Sequence, residues 1–165
     1  MREVGPLATA LDRLDAQGYV NVDRQTLRAV EPWLRWSPVF CAIVMATGTV
    51  LASPWILWGL AITAALGTVL PSHPFDYVYN FGVRRLTGTP PLPPNGAPRR
   101  FACGMATVWL AGTGAAFAAD LTVLGYLLGG ILTAVAALVG TTHFCIPSLI
   151  YSLAFGRPQC STGQP

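Results

Sequence analysis

Between Ser37 and Leu70 the sequence holds no Asp, Glu, Lys or Arg, and between Phe101 and Gly156 it holds only Asp120. Charges gathered outside two long uncharged blocks mark a chain built for a bilayer. Only 10% of its 165 residues are charged and 53% are hydrophobic, with a mean hydropathy of +0.51; soluble domains carry roughly 25% charge. The formal charge of +3 is modest, and no basic run is interleaved with aromatics, so nucleic acid is not an expected partner. Residues 1–36 are too polar for a secretory signal, because the first apolar run starts at Ser37.

The apolar blocks divide into four segments, at about 37–52, 54–70, 101–119 and 121–143. "ASP" (52–54) and "AADL" (118–121) leave almost no loop, so each pair reads as a tight helical hairpin. The expected fold is therefore an all-α integral membrane protein of four transmembrane helices as two hairpins, plus short interfacial helices. Its parts are an amphipathic arm (1–36), a membrane domain (37–156) whose hairpins are joined by a loop (71–100), and a short tail (157–165).

The arm predicts two short helices. Pro6 suits a first helical position, Leu7, Leu11 and Leu14 share a face, and Gly18 supplies a stop. Asp23 is placed to cap a second helix carrying Leu27, Val30 and Leu34 on one side. Such helices are expected to lie on the bilayer surface or on a partner. In the central loop, "HPFDYVYNFGVRRL" reads as an interfacial helix, while the prolines of "TGTPPLPPNGAP" (87–98) favour an extended strap.

All ten basic residues are arginine: five in the arm, four in the loop and one in the tail. The hairpin turns hold none, so the positive-inside rule puts both termini and the loop in the cytoplasm, with Trp55, Trp58 and Tyr126 at the outer face. Sliding the sequence by 70 residues aligns Gly59, Thr63, Ala64, Val69 and His73 with Gly129, Thr133, Ala134, Val139 and His143, the signature of a duplicated hairpin.

Candidate chemistry is confined to one face. Cys41 and Cys103 start the first and third spans, whereas His73, His143 and Cys145 follow the second and fourth, so all five are expected near the cytoplasmic surface at similar depth. Thiolate and imidazole suit zinc, copper(I) or iron. Cysteine is equally an ordinary buried small hydrophobe, and no CxxC spacing is present. Pro147 lacks the amide that would bond the carbonyl of residue 143, so the fourth helix should bend or stop at His143. Asp120 is expected to cap that helix. GxSxG, P-loop and HExxH motifs are absent, no cofactor motif is present, and no ionisable residue falls in the middle of a span. Gly125-Tyr-Leu-Leu-Gly129 is a GxxxG, and the third span is rich in glycine and alanine; Trp109, Ala111, Gly125 and Gly129 are the expected contacts with a neighbouring chain.

Four stretches carry a resemblance: "VDRQTLR" (22–28), "HPFDYVYNFGVRRL", "PRRFACGMATVWL" (98–110) and "FCIPSLIY". Through them residues 20–156 resemble a bacterial family known as domain of unknown function 4395. The resemblance implies a small four-helix integral membrane protein without an assigned activity. In that family the fourth helix tends to end in F-C-x-G-C followed by an aromatic. Here Cys145 matches, but Pro147 and Ser148 stand where the glycine and second cysteine would be, so no dithiol forms at this site alone. The expected role is a non-catalytic accessory or scaffold subunit of a larger bacterial inner-membrane complex, such as an energy-transducing one. The alternative is a thiol/imidazole protein handling sulfur species or a soft metal at the cytoplasmic face.

Overall fold

The computed structural model describes residues 6–156, whose regular elements are all helices, with no strand. In the arm, α1 (Pro6–Ala16) and α2 (Arg24–Val30) are followed by a 3-10 turn (Trp33–Arg35). The turn runs straight into α3 (Trp36–Val50), which forms the first hairpin with α4 (Pro54–Val69). The loop carries α5 (Pro74–Val78), a π-helical turn (Tyr79–Val83) and α6 (Arg84–Thr87). The second hairpin is α7 (Ala97–Ala118) and α8 (Thr122–Thr142), and α9 (Ile146–Phe155) closes the described chain.

The four long helices form a ring in which α4 packs chiefly on α7 and α3 chiefly on α8, with a smaller seam inside each hairpin. The second helix of each hairpin thus lies against the first helix of the other. The short helices repeat within each hairpin instead, since α5 returns to α3 as α9 returns to α7. This two-fold pattern agrees with the 70-residue internal match. The ring is filled by Met45, Leu57, Leu60, Ala61, Ala64, Leu110, Phe117 and Leu132. Glycines set the helix spacing: a Cβ on Gly125 would lie 2.6 Å from Phe117 Cε1, and one on Gly114 would lie 2.4 Å from Trp58 Nε1.

By length and composition α7 and α8 are able to cross a membrane, and α4 with Pro74–Thr87, bent by 81°, makes a third candidate span. At 1.5 Å per residue, α3 and α4 reach only about 22–24 Å, short of a ~30 Å hydrocarbon core. The ring is nonetheless apolar on its outside: Ile43, Val50, Ile62 and Val69 are exposed by 58%, 74%, 65% and 73%. Water disfavours such a surface; lipid does not.

The arm does not use its apolar face on lipid. Leu11, Leu14, Tyr19, Leu27, Val30 and Leu34 are buried in a second core together with Tyr79 and Leu92 of the central loop. The proline strap is consequently part of the fold. Asn80 takes the Leu92 amide on its Oδ1 at 2.8 Å, and the Asn95 amide donates to Pro71 O at 2.7 Å. Asp23 caps α2 as expected, accepting from the amides of Gln25 and Thr26 at 3.0 Å each. Asp120 does not cap α8. It takes a left-handed conformation (φ 58°) in a turn of two residues, and Leu121 occupies the cap position without a side-chain bond.

The last apolar stretch breaks where the proline argument places it. α8 ends at Thr142, His143 adopts φ 57°, and the chain restarts as α9 with Pro147 in its first turn. Proline lacks an amide there at no cost, because first-turn amides have no helical partner.

Candidate functional site

At the arginine-bearing end of the bundle, helix termini and arm enclose two polar clusters. The first is centred on Gly67 in the last turn of α4. A Cβ there would lie 2.6 Å from His73 Cδ2 and 3.3 Å from Cys103 Sγ, so the missing side chain is what lets the imidazole and the thiol approach. Cys41 Sγ lies 4.0 Å from His73 Nε2. The structure therefore gathers three of the five candidate residues, Cys41, His73 and Cys103.

His73 has a structural task that fixes its tautomer. It is the N-cap of α5: Nδ1 accepts the Phe75 amide at 3.3 Å while its own amide donates to Asp76 Oδ2 at 3.2 Å, a reciprocal capping box. A neutral ring that accepts at Nδ1 carries its proton on Nε2. The nitrogen facing the Cys41 thiol is then an N–H donor with no lone pair for a metal. Burial holds this ring neutral, pushing its pKa from 6.5 down to about 4.

Beneath it runs a chain of buried polar groups. Asp76, 2% exposed, also faces Asn95 Nδ2 at 3.5 Å; Asn95 Oδ1 accepts from Tyr19 OH at 2.9 Å; and Tyr19 OH accepts from Arg99 Nη1 at 2.6 Å. Arg99 Nη2 completes the link at Leu34 O, 3.4 Å away. The guanidinium lies 5.7 Å from the Tyr19 ring centroid, a cation–π contact. Burial raises the Tyr19 phenol well above its ordinary value, against the lowering effect of Arg99, so it remains a donor. The carboxylate of Asp76 and the charge of Arg99 are thus connected through two neutral groups, and Asp76 Oδ1 has no protein partner.

The second cluster holds His143, 2% exposed, whose Nε2 lies 2.7 Å from Glu31 Oε1. Arg35 Nη2 meets the same carboxylate oxygen at 2.7 Å, and Arg35 Nε approaches the ring nitrogen at 3.0 Å. A nitrogen that donates to Glu31 has no lone pair left for Arg35. The guanidinium is therefore anchored by Glu31 and by Thr141 O, 3.1 Å from Nη1. Burial lowers the His143 pKa more than the Glu31 carboxylate raises it. Burial alone would raise the Glu31 carboxyl, but the bonds from Arg35 and His143 bring it below its ordinary value.

Three of the arginines read from sequence as topology signals, Arg13, Arg35 and Arg100, turn out to be helix caps. Three carbonyls where α8 ends are taken by the arm: Thr141 by Arg35, Thr142 by Arg13 at 2.7 Å, and His143 by Gln17 at 2.7 Å. Arg100 does the same for α4, donating to Thr68 O at 2.8 Å and Val69 O at 2.7 Å. Cations at these negative dipole ends are stabilising, and a buried carbonyl left open is costly. Sequence reasoning had overlooked Tyr19, Glu31, Asp76, Asn95 and Arg99 as parts of a site.

Among the described residues no three His, Cys, Asp or Glu side chains converge to hold a metal ion. His143 is committed to Glu31, and Cys145 is buried at the cap of α9 beside a cavity of about 20 Å³ that also touches Ser148, whose Oγ has no protein partner. A cavity of that size holds one water.

The residues expected to meet a neighbouring chain divide as well. Gly125 and Gly129 face inward, onto Phe117 and Thr49. Trp109 donates from Nε1 to Leu128 O at 3.1 Å, across the α7–α8 seam. Ala111 alone of the four is exposed, although its carbonyl accepts from Trp58 Nε1 at 3.3 Å.

A ring of apolar helices, two or three of them able to cross a membrane, under a folded polar cap defines a helical membrane protein. The family model described as "Domain of unknown function (DUF4395)" matches residues 31–155, and the chain belongs to that family. No curated protein and no solved structure matches it.

Proposed function

We propose that the chain is a non-catalytic accessory or scaffold subunit of a larger bacterial inner-membrane complex, crossing the membrane four times with both termini cytoplasmic. One observation carries the reading. After α7 has packed on α4 and α8, it still presents Val108, Ala111, Gly112, Ala115 and Ala118 exposed along one side. Among the described residues, nothing beyond its own helical turn lies within 4 Å of a Cβ built on Gly112. Helices associate in bilayers through close packing of such smooth faces, because lipid solvates bulky apolar side chains well. The polar clusters serve caps and links between elements, which fits a scaffold better than an enzyme. Arginines massed at one end support the orientation.

The test is native electrophoresis of mildly solubilised membranes with Ala111→Ile and Ala115→Ile. Both positions are exposed, so the variants should fold as the wild type does. Wild type should migrate in a large assembly and the variants near the chain mass of 17.5 kDa. A wild type that is itself monomeric sinks the reading.

The contact between Cys41 and His73 favours a second reading, a thiol/imidazole protein handling sulfur species or a soft metal. Its weak point is the capping tautomer of His73, which turns an N–H toward the thiol. Metal retained through purification and lost in Cys103→Ser would favour it over the scaffold.

A further inference from the structure

Residues 74–87 leave α4 through a turn of 81° and run as one continuous helical stretch through a π-helical turn. A helix nearly perpendicular to a bundle helix, at the bundle's end, lies close to the membrane plane. One side is fixed on the cap: Tyr79 is fully buried, Asp76 nearly so, and Val83 packs on the arm's core. The other side is open and apolar, with Val78, Phe81 and Leu86 exposed by 58%, 65% and 90%. The Tyr77 and Phe81 rings stack there, their centroids 6.2 Å apart.

Arg84 and Arg85 stand on the same stretch, both exposed. Unlike Arg13, Arg35, Arg99 and Arg100, whose guanidinium groups bind carbonyls or acidic and phenolic oxygens, these two bind no group of the described residues. No carboxylate is available on their own helix face either, since Asp76 is turned into the cap. A bare apolar strip flanked by two uncompensated cations is complementary to a surface that is greasy below and anionic above.

We propose that residues 74–87 dock on anionic phospholipid. Val78, Phe81 and Leu86 enter the interfacial layer, and Arg84 and Arg85 bind headgroup phosphates. The inference does not rest on the scaffold reading, because it needs no second protein. It also gives the cap a fixed height on the bilayer, at the level where α4 ends.

The experiment is amide hydrogen exchange on the full chain in nanodiscs of phosphatidylcholine alone and of phosphatidylcholine mixed with phosphatidylglycerol. In the anionic discs the 79–87 segment should exchange on the order of tenfold more slowly, and raised salt should erase the difference. R84Q/R85Q should lose the lipid dependence while the rest of the chain exchanges as before. The internal control is α9, which has no charged residue and exposes Leu153 and Phe155; it should exchange alike in both discs. Equal protection of 79–87 in both discs means apolar insertion only and overturns the proposal. Protection seen only in native membranes, and absent from both discs, assigns the face to a protein partner and overturns it too.

Discussion

Two adjacent glycines in α8 should respond to the same substitution with opposite sign. A Cβ on Gly129 would lie 2.4 Å from Thr49 Oγ1, 2.6 Å from Thr49 Cγ2 and 3.0 Å from Thr49 Cβ, whereas among the described residues nothing beyond its own helical turn lies within 4 Å of one on Gly130. Carbon atoms in contact prefer roughly 3.5–4.0 Å, so Gly129→Ala forces α3 and α8 apart by about 1 Å at their crossing. Thr49 offers no relief: it is 7% exposed, and a β-branched side chain in a helix has few rotamers to escape into. Overpacking of this kind costs about 1–3 kcal/mol, from which alanine's better helix propensity returns up to about 1. Gly129→Ala should therefore destabilise by about 1–2 kcal/mol, and Gly130→Ala should stabilise by up to about 1 kcal/mol. Reversible denaturation of both variants in one detergent, followed by tryptophan fluorescence, reads the two signs against wild type. Equal shifts, or a stabilised Gly129→Ala, would refute the inner-seam assignment and return this face to a partner.

Three further outcomes follow from the polar end. His73 and His143 are both held below the ordinary value of 6.5, His73 at about 4, so the unfolded chain binds their protons more tightly. Their contribution is present above pH 6.5 and is lost as the pH falls toward 4; a melting temperature flat from neutral pH down to 4 would contradict it. Arg99→Met removes the donor to Tyr19 and Leu34 O and leaves the Asp76 charge uncompensated, with an expected loss of about 3 kcal/mol or more. Adding Asp76→Asn should recover part of that loss in a double-mutant cycle, and simple additivity would show the two groups to be uncoupled. Pro147→Ala should leave the break between α8 and α9 in place, because His143 is held by Glu31 and Gln17; exchange protection running unbroken from 140 to 150 would show the proline alone makes it.

The helical elements were legible because each rests on a local cause. The bounds of α3, α4 and α8 fall within two residues of the uncharged segments, and Asp23, Gly18 and Pro147 act where their chemistry places them. The arm's destination was not legible. An apolar helix face reads alike whether it meets lipid or protein, and its complement here is Leu92, one residue inside a proline-rich strap. Nothing in the sequence around Asp76 and Arg99 signals burial; only the folding of the arm over the loop buries them. Of the candidate site, the residue types were readable, and Cys41, His73 and Cys103 of the five named residues meet. Which residues meet was not readable, because Gly67 rather than any ligand spacing admits His73 to the thiols. Asp120 was misread because a cap needs extended backbone, and the two-residue turn puts it at φ 58°.

The scaffold reading stands or falls on what touches the outer side of α7 in the living membrane. A photo-crosslinking residue at Ala115, with one at Ile62 on the outer side of α4 as reference, tests this without solubilising anything. Ala115 should yield a discrete adduct with another membrane protein, identified by mass spectrometry, while Ile62 yields mainly lipid. Lipid adducts alone at both positions would contradict the account.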